Sequence, residues 1–385
     1  MIRTLTAYTA EVDDPQLAVE QITEQLNASG GLLKGTIGIV ACHYEFVLSG
    51  VFKAVSEALP FNVVGTISSI QSVAAQTDTL LLTLMVMTSD DVSFETVLTP
   101  SLMTDPGSVI RECYQAANGD RKPALILTFA PYLIQNSGDD YVNVITEASG
   151  GVPCFGTLAV DDTADFSYCF MLAEGDFHRD RMAMILIYGD LNPRFYIASI
   201  SENRMLDRSA VVTKSDGPIL MEVNERPFAE YLDDLGLLQA AETNYAMSSL
   251  PFLLDYNDGT PKVSKLFVAL TPEKYAICAG AMPEGRTLFM TMANRDDILL
   301  TTAETMERLK HDLTGASGLL IYTCVSRSMT LAADQYQETA LINEMIGTQI
   351  PYMMVNSGGE LCPTMVSDHK AINRFHNNAF IACLF

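Results

Sequence analysis

The chain has 385 residues, 48% of them hydrophobic, so it is long enough to bury a large core and to form two or three domains. Its 23 basic and 47 acidic side chains give a formal net charge of -24 at pH 7. Such an acidic surface repels polyanions, which argues against nucleic acid as a partner, and the apolar content argues against intrinsic disorder.

The cysteine pattern and the N-terminus indicate a cellular location. Eight cysteines are scattered without a Cys-x-x-Cys pair, and most lie in apolar runs, as reduced structural thiols do. The segment from Met1 to Asp14 lacks a basic region followed by an apolar block, so we expect no secretory signal. The longest apolar run, residues 80–87, is too short to cross a bilayer. We therefore expect a cytoplasmic protein without membrane insertion.

The N-terminal part of the chain alternates between helical and strand patterns. Apolar residues at helical spacing predict helices, and short Ile- and Val-rich runs bounded by Gly or Pro predict strands. In chain order these patterns predict a helix, a strand, a helix, a strand and a hairpin, at residues 15–27, 36–42, 49–59, 62–66, and 79–87 with 92–98.

The same order begins again at Asp105 and Pro106, a helix cap followed by the residue favoured at the first helical position. The offset of about 88 residues is typical of duplication, and much of the unit recurs near the C-terminus. We therefore predict a mixed α/β (α+β) fold. Repeated helix-strand-helix-strand-hairpin units would form mixed sheets flanked by helices. The alternative is the ordinary alternation of any α/β protein.

A segment of different character, residues 192–257, separates the second predicted unit from the third. It contains predicted strands at 196–201 and 204–214, and a helix that begins near Arg226. We therefore place a boundary near Pro193. It divides the chain into two halves, an internally duplicated one at 1–192 and a second at 193–385.

Polar residues gather at the ends of three short apolar runs near the C-terminus, residues 318–324, 351–355 and 376–384. Ligand sites commonly form where strands of an open sheet end, because free backbone groups converge there. The residues concerned are Cys324, Arg327, Gly359, Glu360, His376 and Asn377. We predict that these side chains surround one small-molecule pocket.

The order of these motifs resembles that of the FIST family. A Cys-x-x-Arg follows one strand, a Gly-Glu turn follows the next, and a His-Asn strand ends the chain. Further matches are Val63-Val-Gly-Thr66 and Pro153-Cys-Phe-Gly156, so the resemblance covers nearly the whole chain. It implies a FIST N-like half at 1–192, a FIST C-like half at 193–385, and a role as a ligand-sensing domain of signal transduction.

The predicted ligand-binding set has chemistry that suits an amino acid. Arg327 would grip a carboxylate with two parallel hydrogen bonds, while Glu360 or Glu338 would receive an ammonium. Glycines permit close backbone approach, and a threonine adds a hydroxyl donor and acceptor. The full set is Cys324, Arg327, Glu338, Gly359, Glu360, His376, Asn377, Gly65, Thr66 and Gly156.

Each of these residues also has a structural interpretation. Arg327 could form a surface salt bridge, Cys324 could be a buried inert thiol, and Glu338 could lie on a solvated helix face. His376 could bond the backbone, Glu360 could belong to an ordinary turn, and the glycines could serve tight packing.

Catalytic signatures are missing from the sequence. It has no Gly-x-Ser-x-Gly, no His-Glu-x-x-His, no phosphate-binding loop and no dinucleotide-binding glycine motif. We therefore predict a non-enzymatic sensor of a small molecule, without a cofactor. Such a sensor would signal to a separate protein in trans or through a homo-oligomer.

Two alternatives from other classes stay open. Some members of the FIST family are heme-dependent gas sensors, and His43 could be an axial ligand. A thiol-dependent enzyme could instead use Cys324, provided that Arg327 lowers its pKa. We expect no metal site, because Cys362, His369 and His376 match no standard zinc spacing.

Overall fold

A computed structural model describes residues 2–133, 136–163, 165–242, 250–365 and 371–385. His369 lies outside these residues. Within them, the strands form three six-stranded sheets and one eight-stranded sheet, with helices packed on their faces. The predicted mixed α/β class is therefore confirmed. None of the described helices is both long and apolar enough to cross a membrane.

The first unit begins with a strand that the sequence patterns missed. Asp14 then caps the first helix, because its side chain accepts hydrogen bonds from the backbone N–H groups of Gln16 and Leu17. The elements are β1 (Arg3–Thr9), α1 (Pro15–Ala28), β2 (Gly35–Cys42), α2 (Glu45–Leu48), α3 (Val51–Ala58), β3 (Val63–Ile67), the hairpin of β4 (Gln71–Val73) and β5 (Gln76–Asp78), and β6 (Leu82–Ser89).

The second unit repeats this order. Ser137 and Asp140 form a reciprocal capping box at the start of its second helix. Its elements are β7 (Ser93–Leu98), α4 (Pro106–Asn118), β8 (Leu125–Ala130), α5 (Gly138–Ser149), β9 (Cys154–Leu158), the hairpin of β10 (Met171–Ala173) and β11 (Asp176–His178), and β12 (Ala183–Tyr188).

The third unit is interrupted after its first strand, β13 (Arg194–Ala198), by a module with its own sheet and core. This inserted module contains β14 (Met205–Asp216), β15 (Ile219–Val223), β16 (Arg226–Pro227), α6 (Phe228–Asp234), α7 (Leu238–Ala241), β17 (Phe252–Asp255), β18 (Val263–Lys265), β19 (Phe267–Leu270), β20 (Ala276–Cys278) and β21 (Thr287–Thr291).

The third unit then resumes and completes the pattern. Asn294 and Asp297 form a capping box at its first helix. The elements are α8 (Arg295–Lys310), β22 (Leu319–Cys324), α9 (Val325–Leu331), α10 (Gln337–Ile346), β23 (Tyr352–Ser357), the hairpin of β24 (Glu360–Met365) and β25 (Ala371–His376), and β26 (Phe380–Leu384).

Each unit lends its hairpin to the sheet of another unit, and the three exchanges close a ring. The sheet orders are β1-β6-β2-β3-β10-β11, β7-β12-β8-β9-β24-β25 and β13-β26-β22-β23-β4-β5. Each sheet has one parallel pair at its centre, β2 with β3, β8 with β9 and β22 with β23. Because the three strand orders correspond, the predicted repetition is confirmed at the level of topology.

The inner faces of the three sheets share one apolar core. Ile39, Leu127 and Met353, one from each sheet, belong to it. The outer faces pack against helices, with Ile22 of α1 and Ile110 of α4 in two separate clusters. Strands buried on both faces are apolar at nearly every position, which explains the continuous apolar runs in the sequence.

Two strand predictions are wrong in detail. β6 and β7 do not pair as a hairpin, because β6 lies between β1 and β2 while β7 pairs with β12 in the second sheet. The true hairpin is β4 with β5. His376 ends β25 instead of opening the last strand, and Asn378, with φ of 51°, turns the chain before β26.

Candidate functional site

A cavity of about 80 Å³ lies where the second unit, the third unit and the inserted module meet. Cys324, Ser326 and Gly358 of the third unit line it, together with Cys169 of the second unit and Leu266 of the module. The parallel strands β22 and β23 end side by side here, which leaves a crevice for the following turns. Almost all of the cavity wall is apolar.

A larger cleft of about 460 Å³ adjoins this cavity and shares Phe166, Val325 and Met329 with it. Its wall is more polar, with Asp162, Ser328, Gln335 and Asn356 among the lining residues. Within the described part of the chain, neither lining includes a lysine or an arginine. The two spaces together form an apolar chamber beside an acidic cleft.

The carboxylates of Asp161 and Asp162, both in the wall of the cleft, differ in how many hydrogen bonds they already accept from the protein. The carboxylate of Asp161 is buried and accepts bonds from the backbone N–H groups of Thr163 and Tyr168, both at 2.6 Å. The side chain of Asp162 is 45% exposed, and its Oδ1 lies 3.2 Å from Nε2 of His43. Asp162 is therefore the carboxylate with free capacity for a ligand.

Arg327 lies in the core, not in the cavity wall. Its Nη2 and Nε are 2.7 and 2.9 Å from Oε1 of Glu338, and both side chains are buried. Nη2 also donates to the hydroxyl of Thr302 at 2.7 Å and to the carbonyl of Ile298 at 3.1 Å. Arg327 is thus committed to protein acceptors and has no free pair of donors for a ligand carboxylate.

Glu338 is fully engaged as well. It accepts hydrogen bonds from Thr302 and, at 2.8 Å, from Thr323, in addition to those from Arg327. It lies on the inward face of α10, so the solvated position considered from the sequence is wrong. The structure assigns Glu338 to a buried ion pair and not to a ligand ammonium.

Cys324 lines the cavity, but its thiol is not ionised. Burial raises the pKa of Cys324 to about 12, with a further contribution from Glu360. The hydroxyl of Ser326 donates a hydrogen bond to the sulfur at 3.2 Å. A nucleophilic cysteine requires the opposite shift, so this environment does not suit thiol catalysis.

Glu360 opens β24 directly behind Cys324 and is buried. Burial raises the pKa of Glu360 well above its usual range. Ser357, the Cys324 thiol, the backbone of Ala379 and the positive charge of Arg327 lower this pKa and offset the effect of burial only in part. No group in the described chain makes a properly oriented hydrogen bond to either carboxylate oxygen.

His376 and Gly359 have structural roles. Burial lowers the pKa of His376 to about 3, and its Nε2 lies 3.3 Å from the carbonyl of Cys362. Gly359 has φ of 155°, and a side chain there would place Cβ 2.4 Å from the ring of Phe375. The side-chain amide of Asn377 is buried, and neither its oxygen nor its nitrogen has a hydrogen-bond partner among the described residues.

The N-terminal members of the predicted set lie inside the sheets. A Cβ on Gly65 would stand 1.7 Å from the carbonyl oxygen of Val40, and one on Gly156 2.3 Å from that of Thr128. The hydroxyl of Thr66 donates to the carbonyl of Ile67 at 3.1 Å. Gly65 and Gly156 therefore permit close strand packing, and neither residue lines the cavity or the cleft described above.

Comparison with known families identifies the chain. The model of the FIST N domain matches residues 36–226, and that of the FIST C domain matches residues 227–363. The chain belongs to the FIST family. FIST domains are small-ligand sensory domains of signalling proteins, and the two matched regions cover nearly all of this chain. No curated protein matches the sequence.

Two solved structures show weak similarity to this FIST protein. A cyanuric acid hydrolase from A. caulinodans shares 9% identity with a TM-score of 0.36, over 100% of this chain and 99% of that one. T. maritima PurL complexed with FGAR shares 9% identity with a TM-score of 0.21, over 100% of this chain and 72% of that one. Likeness at this level carries no argument about activity.

The FIST cavity includes residues that the sequence patterns did not single out. Ser326 and Met329 belong to α9, and Leu266 comes from the inserted module. Spacing along the chain gave no signal for Leu266, because only the folding of the module brings it against β22. His43, the proposed heme ligand, is buried, and its ring lies 4.2 Å from that of Tyr44.

Proposed function

We propose that this FIST protein binds a small molecule in the cavity and the adjoining cleft, and that it acts as a non-enzymatic sensor. The observation that supports this function is that residues of the second unit, the third unit and the inserted module line one small cavity. A ligand that contacts all three stabilises one arrangement of the module on the ring. Differential affinity of this kind is what a sensor requires.

The lining favours a ligand with an apolar group and an ammonium. The apolar group would occupy the chamber beside Cys324 and Leu266, and the ammonium would meet Asp162 in the cleft. An amino acid fits if its carboxylate accepts hydrogen bonds from neutral donors such as Ser328 and Gln335. In this proposal Asp162 supplies the charge that the sequence analysis assigned to Glu360 or Glu338.

Two further features support a sensor over the alternatives. The thiol of Cys324 stays protonated near neutral pH, which disfavours nucleophilic catalysis. The eight cysteines are free thiols, which is consistent with a reducing, cytoplasmic location. Because the signal has to leave the domain, we propose that it passes to a separate protein or through self-association.

The test is a thermal-shift screen of paired compounds, each amino acid beside the amine that it would form by loss of its carboxyl group. A ligand that binds only the folded state raises the free energy of unfolding by mass action, by about 2.7 kcal/mol at 100 times its Kd, and therefore raises Tm. We expect apolar amino acids and their amines to raise Tm, and the corresponding carboxylic acids without an amine to leave it unchanged.

A matched pair of variants locates the binding. Ala279→Leu adds volume to the cavity wall and should abolish the shift, whereas Ala116→Leu adds the same volume on an exposed face of α4 and should retain it. A shift that persists in Ala279→Leu would contradict the proposed pocket. A complete lack of shifts across the screen would contradict the ligand class.

A further inference from the structure

Four residues behind the cavity carry buried polar atoms that no described group satisfies. They are Ser264 of β18, Glu360 of β24, and Asn377 and Asn378 in the turn between β25 and β26. The unsatisfied atoms are the hydroxyl oxygen of Ser264, both carboxylate oxygens of Glu360, and the side-chain oxygen and nitrogen of each asparagine. All four side chains are fully buried.

The backbone holds these four residues in one neighbourhood. Glu360 is the pairing partner of His376, which directly precedes the two asparagines. The backbone N–H of Asn377 donates to the carbonyl of Ser264 at 3.0 Å. The side-chain nitrogen of Asn377 would lie 3.3 Å from a Cβ on Gly359, the residue before Glu360.

Such a concentration of unsatisfied atoms indicates a bound species. Each buried donor or acceptor without a partner costs about 1–3 kcal/mol, and a charged group costs more. Native proteins satisfy the great majority of such groups with protein atoms, water or ions. A single occupant that contacts a carboxylate and two amide oxygens would remove most of this cost.

The charges nearby favour a cation. Arg327 is neutralised by Glu338, and Lys265 is neutralised by Asp139, with Nζ 2.8 Å from each carboxylate oxygen. Arg327 also acts on Glu360 by its charge, and its Nη1 donates to the carbonyl of Asn378 at 3.4 Å, but its hydrogen bonds to a carboxylate go to Glu338. Glu360 is therefore left as the one acidic group of this neighbourhood without an ion-pair contact among the described residues. A carboxylate and neutral carbonyl oxygens are hard ligands of the kind that alkali and alkaline-earth cations prefer.

We propose that Glu360, Asn377 and Asn378 bind a monovalent metal cation of the size of Na⁺ or K⁺. One carboxylate with otherwise neutral oxygen ligands balances a single positive charge, whereas Ca²⁺ sites of high affinity use several carboxylates. The cation would keep Glu360 ionised. It would also fix the turn that leads into β26, beside Cys324. This site does not depend on a ligand in the cavity.

The test is the thermal stability of the purified full chain in tetramethylammonium chloride, into which NaCl or KCl is titrated at constant ionic strength. Tetramethylammonium is too large for a buried site, so it supplies the ionic strength alone. We expect one or both metal cations to raise Tm saturably, by about 3 °C at concentrations well above Kd. The salt with the lower half-saturating concentration identifies the preferred size.

Glu360→Gln is the control, because it keeps the shape of the side chain and removes its charge. Its Tm should be independent of which of the three cations is present. Asn378→Asp adds a second carboxylate and should lower the half-saturating concentration roughly tenfold. A wild-type Tm that is equal in all three salts, or an equal rise in Glu360→Gln, would show that water alone occupies this place and would overturn the proposal.

Discussion

The three hairpins of the ring occupy equivalent places but carry different residues at one buried position. Met171 of the second hairpin pairs with Thr66, and Glu360 of the third pairs with Thr157. At the corresponding point of the third sheet, the backbone N–H of Asn356 donates to the carbonyl of Ile70, which lies just before the first hairpin. All three side chains are buried, yet only the third is acidic. The repeated topology is therefore shared by the three units, and the third differs in burying an acidic residue at this position.

A second contrast lies within the third unit itself. Arg327 and Glu338 are buried together, and their hydrogen-bonding groups meet protein partners. Glu360 is equally buried, and both of its oxygens lack partners among the described residues. The Arg327–Glu338 pair can stay ionised because its groups are paired, whereas the unpaired carboxyl of Glu360 is the observation on which the proposed cation site rests. Three predictions test this contrast.

The largest expected effect is that of Arg327→Met. It leaves the Glu338 carboxylate buried without its counter-charge, which should lower the free energy of unfolding by about 3–5 kcal/mol. Chemical denaturation monitored by circular dichroism measures this change. The double variant Arg327→Met with Glu338→Leu should recover most of the loss, because it removes both charges. A single variant as stable as wild type would show that the ion pair is not structural.

A smaller effect of opposite sign is expected at Glu360. Glu360→Met, which installs the residue found at the equivalent place of the second hairpin, should raise the free energy of unfolding by about 1–3 kcal/mol when tetramethylammonium is the cation, because it removes a buried polar group without partners. The reciprocal Met171→Glu should lower it, since it buries a new carboxyl group. Urea denaturation of both variants makes the comparison. A destabilised Glu360→Met would contradict the view that this carboxyl lacks partners.

The smallest effect concerns His376 and pH. Burial holds the pKa of His376 at about 3, whereas it is about 6.5 in the unfolded chain. Between these values the unfolded state binds a proton that the folded state does not, so acidification destabilises the protein. The loss should be about 2 kcal/mol between pH 7 and pH 5.

His376→Gln should remove this part of the acid sensitivity, which denaturation at the two pH values measures. When tetramethylammonium is the cation, so that no metal ion keeps Glu360 ionised, Glu360 contributes with the opposite sign, because its raised pKa makes the folded state hold a proton that the unfolded state releases as pH rises. That contribution is common to wild type and variant and cancels in the comparison. An equal loss in both proteins would show that His376 does not titrate on unfolding.

Local patterns were sufficient for several elements of the fold. Asp14 and Asp105 mark helix starts with their own side chains, and the structure places α1 and α4 after them. Local patterns did not predict which strands pair with each other. The turn after β6 looked like a hairpin turn, but a turn does not specify which sheet accepts the next strand.

The candidate site was only partly predictable for a similar reason. Spacing drew attention to Cys324, which lines the cavity, and to Glu360, which opens β24. It could not tell that Arg327 points into the core, because helix α9 can present that side chain to either surface. The division into halves at 192 and 193 stays a prediction, and the two family matches meet at 226 and 227.

The sequence by itself determined the helix caps, the apolar strands, the repeated order of elements and membership of the FIST family. These depend on short-range patterns, which each segment carries alone. Only the tertiary structure decided which buried charges are paired, which hairpin joins which sheet, and which walls enclose the cavity. Those outcomes depend on contacts between residues far apart in the chain, such as Lys265 with Asp139, and no local pattern encodes them.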